Sequence, residues 1–336
     1  MLKYLVRKLL LTIPLIIGIV TLIFILLEVA PGSVVDRFIN QDTTPEVEQA
    51  LRDKWHLDES AAIRYGYMMK NLLVFDFGQS MSKQDTPVID LISDALPNTI
   101  ILGFVTLLFL FPTGILLGTF QAVRQNKLED TSISVASLFF YSMPAFWLAM
   151  MLQLVFAYYL SGWLGFDLFP LDGMQSNLSF TYPEWNSSNP IAGKRIADIL
   201  WHLLLPGAAL GIAFSAGTAR YMRSSLLEVI RMDYIRTARA KGVPEFLVVF
   251  KHAMRNALLP IVTLLGLSVR GLVSGAVLVE IIFSWPGMGR LIVDAIFAQD
   301  APLIIGCCFI LTIMTVGGNL LADILYAVVD PRIRYQ

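Results

Sequence analysis

Charge is scarce in this chain, and that scarcity decides its class before any motif is read. Only 15% of the 336 residues are charged and 56% are hydrophobic, whereas a soluble globular domain carries about 25% charged residues. With a mean hydropathy of +0.66, the composition is that of an integral membrane protein. A formal net charge of −1 leaves no surplus of cations to neutralise phosphates, which excludes nucleic acid as a partner and makes any basic patch a local one. The two cysteines, Cys307 and Cys308, are adjacent. They cannot frame a disulfide scaffold or a zinc site and read as small buried hydrophobes. Three histidines, His56, His202 and His252, are too scattered for a metal cluster or a nucleophile–base pair. No G-x-x-x-x-G-K-[ST] phosphate loop, G-x-S-x-G or H-E-x-x-H occurs, and Gly193-Lys194-Arg195 fails the first pattern. No catalytic residue, metal or cofactor is expected on this chain, so any energy it uses has to come from elsewhere.

What the chain does have is long apolar runs. A helix needs about 20 mostly apolar residues to cross the hydrocarbon core, and six stretches qualify: Leu9 to Val29, Thr99 to Ala122, Ser132 to Leu160, Ile199 to Ala219, Ala257 to Val279 and Pro302 to Leu325. Unpaired backbone groups are prohibitive in lipid, so these are expected as helices and the fold class as all-α, with six transmembrane helices. The first run follows a basic flank as a signal peptide would, but it is longer than an h-region and lacks a small-x-small cleavage site, so it reads as a retained span. Pro144 is expected to kink the third run, whose distal Tyr158, Tyr159 and Trp163 suit a membrane interface.

Lys and Arg near the span ends set the orientation. Lys3, Arg7 and Lys8, then Arg124 and Lys127, then the basic stretch from Arg220 to Pro260, then Arg332 and Arg334 all belong on the inner side. Residues 31–98 are rich in Asp and Glu and belong outside. This organisation reads as a first span (1–30), an extracytoplasmic helical insertion (31–98), a transmembrane core (99–330) and a cytoplasmic tail (331–336). Within the insertion, Thr43-Thr44-Pro45-Glu46 reads as a helix start and a second helical patch covers Ile63 to Val74. The insertion either packs on the membrane core or shapes a receptor-docking surface.

The stretch Arg220 to Pro260 is the most informative polar segment. Met232 to Lys241 and Glu245 to Arg255 each suit a short helix, with Gly242 terminating the first and Pro244 opening the second. Ile235, Ala238 and Ala240 offer small or apolar contact, and Arg236, Arg239 and Lys241 offer charge to an acidic partner groove. The same cations would also suit an amphipathic hairpin lying on anionic lipid.

The residues Asp233 to Pro260, DYIRTARAKGVPEFLVVFKHAMRNALLP, resemble the cytoplasmic coupling loop, or EAA motif, of ABC importer permeases. Ala238, Gly242 and Pro260 stand where that motif has its alanine, glycine and late proline. Asp233, Tyr234, Arg236, Arg239 and Lys241, followed by His252, Arg255 and Asn256, resemble the dipeptide, oligopeptide and nickel branch of the family, closest to its dipeptide B-type subunit. The resemblance extends through Pro31-Gly32, Phe77-Gly78-Gln79-Ser80, Pro87-Val88, Tyr141 to Trp147, Glu280 to Gly289 and Asp330 to Arg334, nearly the whole chain. It departs at Ser33-Val34, where Asp-Pro is usual, and at Trp55-His56-Leu57-Asp58, where Leu-Gly-Leu-Asp is usual.

Such a resemblance implies a multi-pass subunit of the bacterial inner membrane with both termini cytoplasmic, forming half of a translocation path. Its partners would be a second, homologous permease, two cytoplasmic ATP-binding subunits that carry ATP and Mg, an extracytoplasmic substrate-binding protein and membrane lipid. Di- or oligopeptides are the expected cargo, while nickel chelates, opines and oligosaccharides travel through the same branch. A different class, a self-sufficient secondary transporter or channel, would need several charged mid-membrane sites. Here only Arg270 lies at that depth, on a face with Ser274. Arg270 either lines the translocation path and meets a carboxylate or pairs at a helix contact. Glu280, at the outer end of the same span, and Arg290, Asp294 and Asp300 beyond it either gate the path or hold the loop.

Overall fold

The computed structural model describes residues 2–29, 46, 49, 53, 58–83, 86–175, 192–268 and 277–329. Arg270, Ser274, residues 43–45, Arg332 and Arg334 lie outside the described residues. The helices are α1 (Leu2–Val29), α2 (Ala61–Leu73), α3 (Val88–Val123), α4 (Leu128–Ser142), α5 (Ala145–Leu164), α6 (Ala192–Ile230), α7 (Asp233–Ala240), α8 (Glu245–Ala257), α9 (Leu259–Ser268), α10 (Val277–Ile282), α11 (Met288–Phe297) and α12 (Ala301–Val329). Among the described residues there is no strand beyond a single bridge between Gln79 and Pro87. Five helices are long and apolar enough to cross a membrane, and α8 with α9 forms a sixth candidate bent by 50°. The all-α membrane fold is thus the one expected.

Three boundaries differ from expectation for physical reasons. The run Ser132 to Leu160 is broken rather than kinked. Met143 is extended (φ −80°, ψ 133°), because the ring of Pro144 disfavours helical geometry in the residue before it. The helix of the fourth span continues past Ala219 to Ile230, since a helix of good formers need not end where the lipid does. The second span begins at Val88, well before Thr99.

The chain divides into two compact units. One comprises 1–97 with 287–317 and the other 98–286 with 318–334. In the first, Val20 of α1, Leu72 of α2, Ile92 of α3, Met288 of α11 and Leu303 of α12 share a core. Thr21 bonds the Tyr65 hydroxyl at 2.6 Å and Glu28 pairs with Arg64, which fastens α2 to α1. Asp300 is fully buried. Its carboxylate accepts from the Ser80 hydroxyl at 2.6 Å and from the Ser82 N–H and hydroxyl at 2.9 and 2.8 Å, and from the Leu303 N–H at 3.2 Å. It therefore caps α12 and anchors the Phe77 to Ser82 turn, which explains why that motif carries serines. Of the two roles open to Asp300, holding the loop is the one its partners support.

In the second unit, α3 and α6 run parallel in close contact. A Cβ on Gly207 or Gly211 of α6 would meet Val105 or Phe109 of α3 at 2.6 and 2.3 Å. A Cβ on Gly114 or Gly118 of α3 would meet Thr218 at 2.6 Å or the Ala219 carbonyl at 2.4 Å. Each helix thus offers one Gly-x-x-x-Gly pair, the small-residue seam by which membrane helices approach when hydrophobic burial cannot drive them together. Because both helices run the same way, the chain between them has to make one net crossing, and α5 is the helix among the described residues there that is long and apolar enough for it.

Candidate functional site

The stretch that the sequence singles out folds as a two-helix hairpin, α7 and α8. Asp233 and the helix-forming Arg and Ala residues carry α7 to Ala240. Gly242, at φ +75°, then reverses the chain. The Gly242 N–H reaches the Arg239 carbonyl at 2.9 Å and the Val243 N–H reaches the Ala238 carbonyl at 3.3 Å, the two bonds of a Schellman stop. Pro244 sits one position before α8, and its carbonyl accepts from the Leu247 and Val248 N–H groups at 2.9 and 3.0 Å.

The hairpin has a buried seam and two exposed faces. Ile235 is fully buried, packed with Val248, Val249, Ala253 and Ala257 of α8 against Met222, Leu226 and Val229 of α6 and Phe111 and Ala122 of α3. Burying such a side chain is worth about 1.5–3 kcal/mol, so the seam holds the hairpin on the ends of the two glycine-seamed helices. Polar bonds reinforce it. Asn256 donates to the Tyr234 hydroxyl at 2.8 Å, linking α8 to α7. Ser225 of α6 donates to the Ala257 carbonyl at 3.0 Å.

Arg239, expected to offer charge to a partner, instead closes the turn. Its Nε and an Nη donate to the two Glu245 oxygens at 3.0 and 2.6 Å. The bidentate hydrogen bond pushes the Arg239 pKa up and the Glu245 pKa down. The outward charges are then Arg236, whose contact with Asp233 at 3.4 Å is solvent-exposed and worth little, and exposed Lys241. Ala238 is half-buried and packs against the seam. His252 is half-buried and Arg255 exposed on α8, and Pro260 lies in the first turn of α9, just after the bend.

The sequence reading missed the ion pair beside the hairpin. Asp130, in the first turn of α4, is buried and accepts from Arg223 of α6 at 2.9 and 2.7 Å and from the Asn126 N–H at 3.0 Å. The hydrogen bonds from Arg223 hold its carboxyl below the ordinary carboxylate range, against burial, which pushes the other way; the Asn126 N–H assists. Two adjacent acids, Glu129 and Asp130, at the mouth of an apolar run were the only available signal. This pair brings the Arg124 to Lys127 connector to the same end of the unit as the hairpin.

The remaining predicted residues concern a path. A cavity of about 750 Å³ in this unit is mostly apolar, and Thr99, Thr106, Thr218, Tyr221, Ser268 and Glu280 supply its polar groups. Its size suits a small solute. Glu280 is fully buried and accepts a hydrogen bond from Thr99 at 2.8 Å. Arg270 and Ser274 belong to the stretch between Ser268 and Val277, both of which line this cavity, but are themselves outside the described residues. Beyond Glu280 in the chain, the indole of buried Trp285 donates to the Asn98 carbonyl at 2.9 Å and the Asn98 amide to the Pro286 carbonyl at 2.9 Å, fixing the Trp285-Pro286 loop.

Comparison with known proteins places these features in context. The family described as the binding-protein-dependent transport system inner membrane component matches residues 114–335. The oligopeptide transport system permease protein AppB of Bacillus subtilis is 38% identical over 340 residues, covering 100% of both chains. The dipeptide transport system permease proteins DppB of Alkalihalophilus pseudofirmus and of Escherichia coli are 38% and 36% identical, again over 100% of both chains.

Proposed function

The chain belongs to the family of binding-protein-dependent transport system inner membrane components, and from that premise we propose that it is a peptide importer's permease subunit, driven through the α7–α8 hairpin. As a permease subunit of such a system, it is a transport component of the membrane. Its full-length similarity to oligopeptide and dipeptide permeases supports di- or oligopeptides as cargo. In this reading the chain forms half of the path, a second homologous permease forms the other half, and an extracytoplasmic binding protein delivers the substrate. Two cytoplasmic subunits bind and hydrolyse ATP with Mg. Both termini and the hairpin face the cytoplasm, as the basic residues at those segments favour.

The observation that carries the proposal is the attachment of the hairpin. Its exposed α7 face is polar, while its seam is fused by Ile235 to the ends of α3 and α6, which line the cavity. A push on α7 reaches the cavity walls through packed side chains, because a close-packed seam transmits displacement. ATP-driven closure of the ATPase pair would then move α3 and α6 and alternate the access of the cavity. The test is reconstitution in liposomes with and without the ATPase and the second permease. Peptide uptake should require the full set and ATP, and uptake by this chain alone would overturn the proposal.

A further inference from the structure

On the preceding reading α7 meets the ATPase; we propose that the other exposed face of the hairpin has a different partner, α8 lying on the inner leaflet of the bilayer with its aromatic side chains in the headgroup boundary. This second assignment rests on separate observations. Phe246, Leu247 and Phe250 of α8 are 66%, 42% and 44% exposed, and the two phenyl rings lie 4.6 Å apart. They stand out from a helix whose other side, Val248, Val249, Ala253 and Ala257, is buried in the seam. Paired aromatics left in water are costly, whereas the boundary between headgroups and acyl chains accommodates them.

Continuity with the membrane identifies the occupant. Across the single residue Leu258, α8 passes with a bend of 50° into α9, whose exposed residues include Leu259, Val262 and Leu265. A helix joined so closely to the end of an apolar span has little room to leave the membrane surface. Charge points the same way. The one acid of α8, Glu245, is taken by Arg239. Lys251 and Arg255, one helical turn apart, are exposed, and among the described residues neither has an acidic partner. These cations suit lipid phosphates and anionic headgroups. By contrast, α7 exposes Asp233, Tyr234, Arg236 and Thr237, with Lys241 in the turn after it, a surface for a polar protein groove. The lipid contact would fix the height of the hairpin, so that a push on α7 tilts it about α8.

The test uses the assembled importer in vesicles, with Phe250→Trp in this chain and the parent complex as the fluorescence baseline. Phospholipids brominated near the headgroup end of their acyl chains should quench the added tryptophan at least twofold, and aqueous acrylamide should quench it little. Raising the share of anionic lipid should strengthen the bromine quenching, and Lys251→Gln with Arg255→Gln should abolish that dependence. Quenching by acrylamide alone, or by neither agent as under a protein partner, would overturn the lipid assignment. So would bromine quenching that ignores lipid charge, since the cations would then have no role at the surface. ATPase retention is measured on the same vesicles. Retained ATPase without lipid quenching defeats only this inference, and lipid quenching without retained ATPase defeats only the docking of α7.

Discussion

Replacing Gly242 separates the shape of the hairpin from the room around it. The residue has φ +75°, and a Cβ placed on it would meet nothing within 4 Å. Side-chain volume is therefore free at this position and handedness is not. An L-residue held in left-handed geometry costs about 1–2 kcal/mol, and Asn tolerates that geometry better than most. A β-branched residue is worse than Ala, since its stiff side chain crowds the same backbone. One to two kcal/mol is a factor of roughly 5–30 in the population of the intact turn, enough to loosen the Schellman stop without unseating Ile235. The assay is peptide uptake per ATP hydrolysed in proteoliposomes carrying the full importer. Coupling should fall in the order Gly, Asn, Ala, Val, with the amount of assembled complex unchanged. An order that follows size, with Ala mildest and Asn as damaging as Val, would refute the reasoning.

Other substitutions probe the surrounding contacts. Ile235→Ala removes a fully buried side chain from the seam and should cost about 2–5 kcal/mol, read as a lower unfolding temperature of the purified chain together with weaker coupling. Arg239→Glu should open the turn, and adding Glu245→Arg should restore coupling by at least half, because the pair acts within the hairpin; no rescue by the swap would return Arg239 to the docking face. Asp130→Asn should destabilise the chain at pH 7 by less than the roughly 3–5 kcal/mol of a broken, wholly buried pair, because the Arg223 side chain keeps 31% exposure. The Asp130 pKa is lowered on folding, so its contribution is complete above the ordinary value of about 3.9 and is lost as pH falls through the lower folded value. The stability gap between parent and Asp130→Asn, followed by thermal unfolding across pH, should therefore narrow only below about pH 4.

Much of this arrangement was legible in the order of residues because it rests on local rules. Run length gave the spans. Gly242 and Pro244 bracketed the turn, and the observed helices Asp233–Ala240 and Glu245–Ala257 differ by a residue or two from those expected. The contacts that give the hairpin its purchase are long-range and leave no local signature. Asp130 and Arg223 stand 93 positions apart, and nothing in either neighbourhood names the other. Arg239 looked like a surface cation because its partner lies across a chain reversal, where helical spacing rules do not apply. The continuation of α6 to Ile230 was hidden by polarity: Arg220, Arg223 and Glu228 mark the end of the apolar run, not the end of the helix. The glycine pairs at 114 and 118 and at 207 and 211 were a readable signal, since their spacing is that of a helix-packing face.

The most direct measurement of the central claim is retention of the ATPase partner on vesicles carrying the chain with Arg236→Glu and Lys241→Glu. Both side chains lie on the exposed face of α7 or its turn and outside the buried seam. Sedimentation should show the ATPase left in solution and ATP-driven uptake lost, while the chain itself stays folded, inserted and paired with the second permease. Normal ATPase retention and normal uptake with both charges reversed would contradict the assignment of α7 as the coupling surface.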